Sequence, residues 1–224
     1  KSKTEISSAV VSLKSEDIAP KEKRRALMGN IEDRVALGAG HHRVVNQTYI
    51  TSNKFTEILQ YGLQALEVHS SIQSKFEKPY HKVYNYEHFD RAFNRGSIQL
   101  SSLGGGNHFL ECQVDDSGNV WVMIHTGSRG YGHQVATDFF FEGLDWWNTT
   151  HIDQLPKYMK EFISFPVDSD IGKRYLNAMN QAANFAIVNR YLIAQASIEA
   201  IQDVFKAPSE IFYEISHNLV QKEG

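Results

Sequence analysis

The 224-residue chain has little of several things, and each shortage closes off a class of protein. One cysteine, Cys112, excludes an internal disulfide and is what a soluble protein in the reducing cytoplasm would carry. No stretch reaches the run of about 18 apolar residues that a membrane-spanning helix needs. A formal charge of -3 excludes grip on nucleic acid by bulk charge, so any phosphate site must be local. No repeat, low-complexity tract or Pro/Ser-rich linker divides residues 1–224, which therefore read as one domain. The chain opens at Lys1 instead of Met and closes on the polar "SHNLVQKEG" directly after a strand pattern. Both ends read as cut from a longer protein.

What is present is enough for a core: 42% of the residues are hydrophobic. Residues 15 to 37 are charged and helical in pattern, with Ser15 and Asp17 as N-cap candidates and Gly38 as a stop. Lys21, Lys23, Arg24 and Arg25 within it read as a solvated face. Residues 54 to 68 place Phe55, Ile58, Leu59, Leu63 and Leu66 at helical spacing, which predicts a helix with a buried stripe. Residues 71 to 98 show no clean period. "HFLECQV" and "NVWVMIH", separated by "DDSG", predict a β-hairpin over residues 108 to 125. Residues 171 to 206 read as one long helix or two joined ones, its apolar face interrupted by Asn189 and Arg190, and "EIFYEIS" as a strand that delivers His217 and Asn218. The expected fold class is mixed α/β, combining antiparallel hairpins and a mixed sheet with long amphipathic helices.

The chemistry concentrates in "LGGGNHFLE", residues 103 to 111. A glycine triplet is most often only a turn, but this one runs into an amide, an imidazole and a strand. A four-residue "DDSG" loop would pair Val114 with Asn119 and set His108 opposite His125, with Cβ atoms roughly 4.5–5.5 Å apart. That separation suits two ligands of one metal ion. His217, at another strand end, supplies a third imidazole, and three ligands with an open position describe a catalytic metal site. The other seven histidines read as surface or core residues. "HTGSRGYGHQ" places a Gly-rich turn between a strand and a helix expected from about residue 134, an arrangement that holds anions, with Arg129 as a forked cation. Alternation puts Glu111 on the face opposite His108: a support behind the ligands, a nucleotide contact or an exposed strand residue. Cys112, opposite Trp121, reads as a buried inert thiol.

Taken together, "LGGGNHFLE", "MIHTGSRGYG", "NRYLIAQ" and "SHNLVQKE", in this order and at these separations, resemble the RtcB-type RNA-splicing ligases. The resemblance is strong from about residue 98 onward and collinear before it. It implies a GTP- and manganese-dependent reaction that joins an RNA 3'-phosphate or 2',3'-cyclic phosphate end to a 5'-hydroxyl end through a guanylylated histidine. By position it implies His108, His125 and His217 as manganese ligands, with two ions in the complete enzyme. Asn107, Glu111 and Asn218 correspond to groups near the guanylate, and Arg129 to a phosphate-binding residue; Asn107 and Arg129 are thus the candidate catalytic side chains. The family's upstream Asp-x-Gly-Cys-Gly motif has no counterpart here, and its guanylylated histidine lies beyond "SHNLVQKE". The chain is therefore expected to be an internal portion of the ligase core, inactive alone. A non-catalytic RNA-end-binding module and a metal-dependent phosphoesterase are the alternatives from other classes.

Overall fold

The computed structural model describes residues 6–37, 50–150, 163–216 and 219–220. Among the described residues six strands and six α-helices follow one another: β1 (Ile6–Lys14), α1 (Lys21–Glu32), β2 (Ala36–Leu37), α2 (Ser52–Tyr61), α3 (Ser70–Gln73), α4 (Asp90–Ser97), β3 (Ser102–Gly104), β4 (Phe109–Val114), β5 (Asn119–His125), α5 (Arg129–Thr150), α6 (Asp170–Phe205) and β6 (Ser209–Ile215). β1 runs between β5 and β6, antiparallel to both, in a four-stranded sheet of order β4-β5-β1-β6. β2 and β3 form a separate parallel pair. The class is mixed α/β, as expected. Among the described residues no helix is long and apolar enough to cross a membrane.

α6, at 36 residues, is the longest helix among the described residues. α6 is capped by the Ser169 hydroxyl, which accepts from the Gly172 N–H at 3.1 Å, and it stops at Lys206 in a left-handed conformation. Residues 181 to 190 are buried without interruption. A helix buried on every side must be packed by neighbours all round; α1, α2, α5 and the sheet supply them. Val120, Val122 and Ile124 of β5, at 1%, 0% and 0% exposure, point into this core.

Four local expectations need correction. The helix over residues 15 to 37 is only α1: Pro20 sits in extended conformation at its N-cap, and a proline biases the residue before it away from the helical region. Asp17 accepts the Lys14 N–H at 2.8 Å instead of capping, and residues 36 and 37 enter β2. The helix over 54 to 68 breaks at Gly62, where a Cβ would stand 2.7 Å from the Pro79 carbonyl, and continues as a 3-10 turn over Gly62–Leu66. α5 begins at Arg129, five residues before the expected Gln134.

The fourth is the hairpin register. Phe109, not His108, lies opposite His125, and Val114 pairs with Val120. The cause is Asp115. Its carboxylate accepts the N–H groups of Ser117 and Asn119 at 2.9 and 2.8 Å and the Trp121 indole N–H at 2.9 Å. Its own N–H donates to the Asn119 carbonyl at 3.0 Å. Asp115 and Asn119 thus close a three-residue loop with Gly118 at φ +76°, the left-handed third position such loops require. The shift places Cys112 opposite Val122, not Trp121. On the open edge of the sheet, Cys112 is also exposed, not buried.

Candidate functional site

The ends of β3 and β5, the first turn of α5 and one side of α6 enclose a cavity of about 740 Å³. α6 contributes Tyr175 and Met179 to its wall together with three small residues, Ala182, Ala183 and Ala186. On the opposite wall the glycine run does what a bare backbone permits. Gly104 has φ +100°, and a Cβ there would stand 1.7 Å from Arg129 Nη1 and 2.6 Å from His108 Nδ1. The Arg129 and His108 side chains occupy the place where any other residue would put its own.

Arg129 donates from Nε to the Ser102 hydroxyl at 3.1 Å, and its Nη1 lies 3.4 Å from His108 Nδ1. Its backbone is left-handed, φ +52°, a conformation that residues with a Cβ adopt at a cost. The His108 and His125 rings meet at 5.6 Å between centroids, and Phe109 stacks on His125 at 5.4 Å. The two imidazoles therefore come together although they are not cross-strand partners. Burial, then the Arg129 and His125 charges, hold the His108 pKa below its ordinary value, so the ring is neutral near pH 7. Burial also lowers the Arg129 pKa, from a value so high that the guanidinium stays charged.

Asn107, His108, His125 and Arg129 all line the cavity. Glu111 does not. It is exposed on β4, where it accepts from the Gln113 side chain at 2.5 Å. His217 and Asn218 lie outside the described residues; Ser216 and Leu219, on either side of them in sequence, line the cavity. Among the described residues no group of three His, Cys, Asp or Glu side chains gathers as a metal cluster.

Several residues of the site escape sequence reading. Gln99, buried on α4's C-terminal side, accepts the Gly130 N–H at 2.7 Å and so caps the start of α5. His133, exposed one helical turn beyond Arg129, and Arg95 extend the polar wall. Thr126, fully buried, donates to the Leu103 carbonyl at 2.6 Å and ties β5's end to β3. Asn189 and Arg190 are likewise fully buried; in the sequence they interrupt an apolar helical face and open the "NRYLIAQ" motif, neither of which shows what they hold.

Fold and site together define a mixed α/β protein with an imidazole–guanidinium cavity at its strand ends. The family model described as tRNA-splicing ligase RtcB matches residues 5–224. The chain belongs to the RtcB family. It is 41% identical over 153 residues to the tRNA-splicing ligase RtcB of Pyrococcus horikoshii, covering 59% of this chain and 17% of that protein. To the tRNA-splicing ligase RtcB of Thermococcus kodakarensis it is 40% identical over 152 residues, covering 59% and 31%. To the RNA-splicing ligase RtcB of Mycobacterium tuberculosis it is 38% identical over 157 residues, covering 60% and 34%. The matches thus span about a third or less of the length of these relatives.

Proposed function

We propose that this chain is a core portion of a cytoplasmic RNA ligase that uses manganese and GTP to join an RNA 3'-phosphate or 2',3'-cyclic phosphate end to a 5'-hydroxyl end. The observation that carries the reading is the convergence of His108, His125 and Arg129 on one cavity beside a glycine-bared backbone. The donor set suits a divalent cation: two adjacent imidazoles, one of them held neutral by burial and neighbouring charge. His108 and His125 would hold manganese, with His217 as the third ligand implied by the family. When bound, the metal supplies charge neutralisation at phosphate oxygens.

The chain's own residues do the rest. Phosphoryl transfer is catalysed mainly by positioning and electrostatics, and Arg129 provides both, as a planar cation anchored by Ser102 at the cavity wall. The exposed residues 105 to 107 let backbone and the Asn107 amide approach a nucleotide without intervening bulk. Asn107, at the cavity, would face the guanylate, and the family resemblance implies Glu111 and Asn218 for the same group.

The test uses the complete reading frame with manganese, GTP and RNA bearing a 3'-phosphate and a 5'-hydroxyl. Joined product that disappears in His125→Ala and Arg129→Ala is the expected result. RNA bound by a folded protein, with neither joined product nor protein-bound guanylate, would leave an RNA-end-binding module as the better account.

A further inference from the structure

We propose that Asn189 and Arg190 are positioning residues that set the spacing of the three strand ends around the cavity, an inference that rests on the ligase reading for its consequence in catalysis. Both sit mid-helix on α6 and both are 0% exposed. Burying an amide and a guanidinium is costly unless every polar atom is met, and a buried ion pair can often be replaced by apolar residues without loss of stability. The account of these bonds therefore turns on what they hold in place.

Asn189 grips β3 as a neighbouring strand would. Its Oδ1 accepts the Ser102 N–H at 3.1 Å, while its Nδ2 donates to the Ser102 carbonyl at 3.0 Å. The same Nδ2 lies 3.3 Å from the Gly127 carbonyl and 3.4 Å from the Thr126 hydroxyl, so β3 and the β5–α5 turn are read by one amide. Arg190 continues the connection. Its Nη1 donates to the Thr126 carbonyl at 3.1 Å, its Nε to Glu214 Oε1 at 2.6 Å and its Nη2 to the Ser216 hydroxyl at 2.7 Å. β5 and β6 are thereby joined through one guanidinium.

The tied residues stand next to the chemistry in every case. Ser102 supports Arg129 and opens the loop to His108; Thr126 follows His125; Ser216 precedes His217. Two adjacent side chains on one turn of α6 thus reach the ends of β3, β5 and β6. A fork that meets three acceptors at once is a property of arginine that lysine lacks.

The experiment compares the full-length wild type with Asn189→Ala and Arg190→Lys at a temperature where all are folded, by hydrogen exchange without metal or RNA, manganese titration by electron paramagnetic resonance, and RNA-joining kinetics. Asn189→Ala is expected to speed exchange at Ser102 and over residues 126 to 130, and Arg190→Lys near residues 126 and 214 to 216, with the rest of α6 unchanged. Manganese affinity is expected to fall by about 10-fold, as for lost supports behind metal ligands, and kcat by about 100-fold with KM for RNA within about threefold. Wild-type kcat and manganese affinity in folded variants, or exchange that rises uniformly over the sheet and α6, would overturn the proposal. Should Asn189→Ala not fold, Asn189→Asp, which keeps the acceptor for the Ser102 N–H and loses the donor, takes its place. A wild type that neither binds manganese nor joins RNA would sink the ligase reading instead, and the local exchange pattern would still decide whether the pair holds the strand ends.

Discussion

β4 and β5 form one hairpin and are similarly rich in apolar residues, yet they live in different environments. β5 is flanked by β4 and β1, turns Val120, Val122 and Ile124 into the core, and ends at the buried His125. β4 lies at the edge of the sheet, and residues 111 to 114 are exposed on both faces. Composition does not separate the two strands; a neighbour on each side does. The candidate site residues divide the same way. His125 sits on the inner strand with the His108 and Phe109 rings against it, whereas Glu111 sits on the edge, bonded to Gln113 of its own strand.

Substitutions and pH should separate the inner strand from the edge. Ile124→Ala on the inner strand leaves a cavity in a fully packed core and should cost about 3–4 kcal/mol in urea unfolding, because nothing adjacent is free to collapse. A change of pH probes the core from its other side. His81 is buried beside α6, and burial, then Lys78 and Arg190, lower its pKa to about 4. In the unfolded chain it titrates near 6.5, so the unfolded state takes up a proton that the folded state refuses between those values. Stability is therefore full above about pH 6.5 and falls as the pH drops toward 4, by on the order of 3 kcal/mol, and His81→Gln should flatten that slope in unfolding curves at pH 7 and 4.5.

Gly104→Ala acts at the site itself. Its Cβ would fall on the Arg129 guanidinium, and its φ of +100° adds backbone strain, so a loss of roughly 2 kcal/mol in stability is expected together with displaced His108 and Arg129. Joining by the full-length protein should then drop by about 100-fold. On the edge strand, Cys112→Ala should change stability by less than about 0.5 kcal/mol, since the residue is exposed and pairs only through its backbone. A large Cys112 effect, or a negligible one at Ile124, would contradict the division between the two strands.

The same contrast explains what the sequence allowed to be read. α6 and the hairpin announced themselves through strong periodicity and a "DDSG" turn, signals that need no knowledge of neighbours. The one-residue register shift escaped because it depends on Asp115 binding Ser117, Asn119 and Trp121 at once. Gly62 ends α2 because Pro79, 17 positions along, approaches it, a contact no local pattern encodes. β1, one of the two inner strands, drew no reading, for its place is set by partners more than 100 residues away. At the site, His108, His125 and Arg129 were legible as chemistry. Asn189 and Arg190 registered as flaws in an apolar face and as the start of a motif, but not by what they bind, because their partners lie on β3, β6 and the turns that follow β5 and β6.

His108 and His125 are proposed to hold a divalent cation together at the cavity. Crystals of the full-length protein soaked in manganese, with anomalous diffraction recorded, test it most directly. The account predicts an anomalous peak bonded to both imidazoles and lost in His125→Ala. A peak elsewhere in the protein, with none between these two rings, would contradict it.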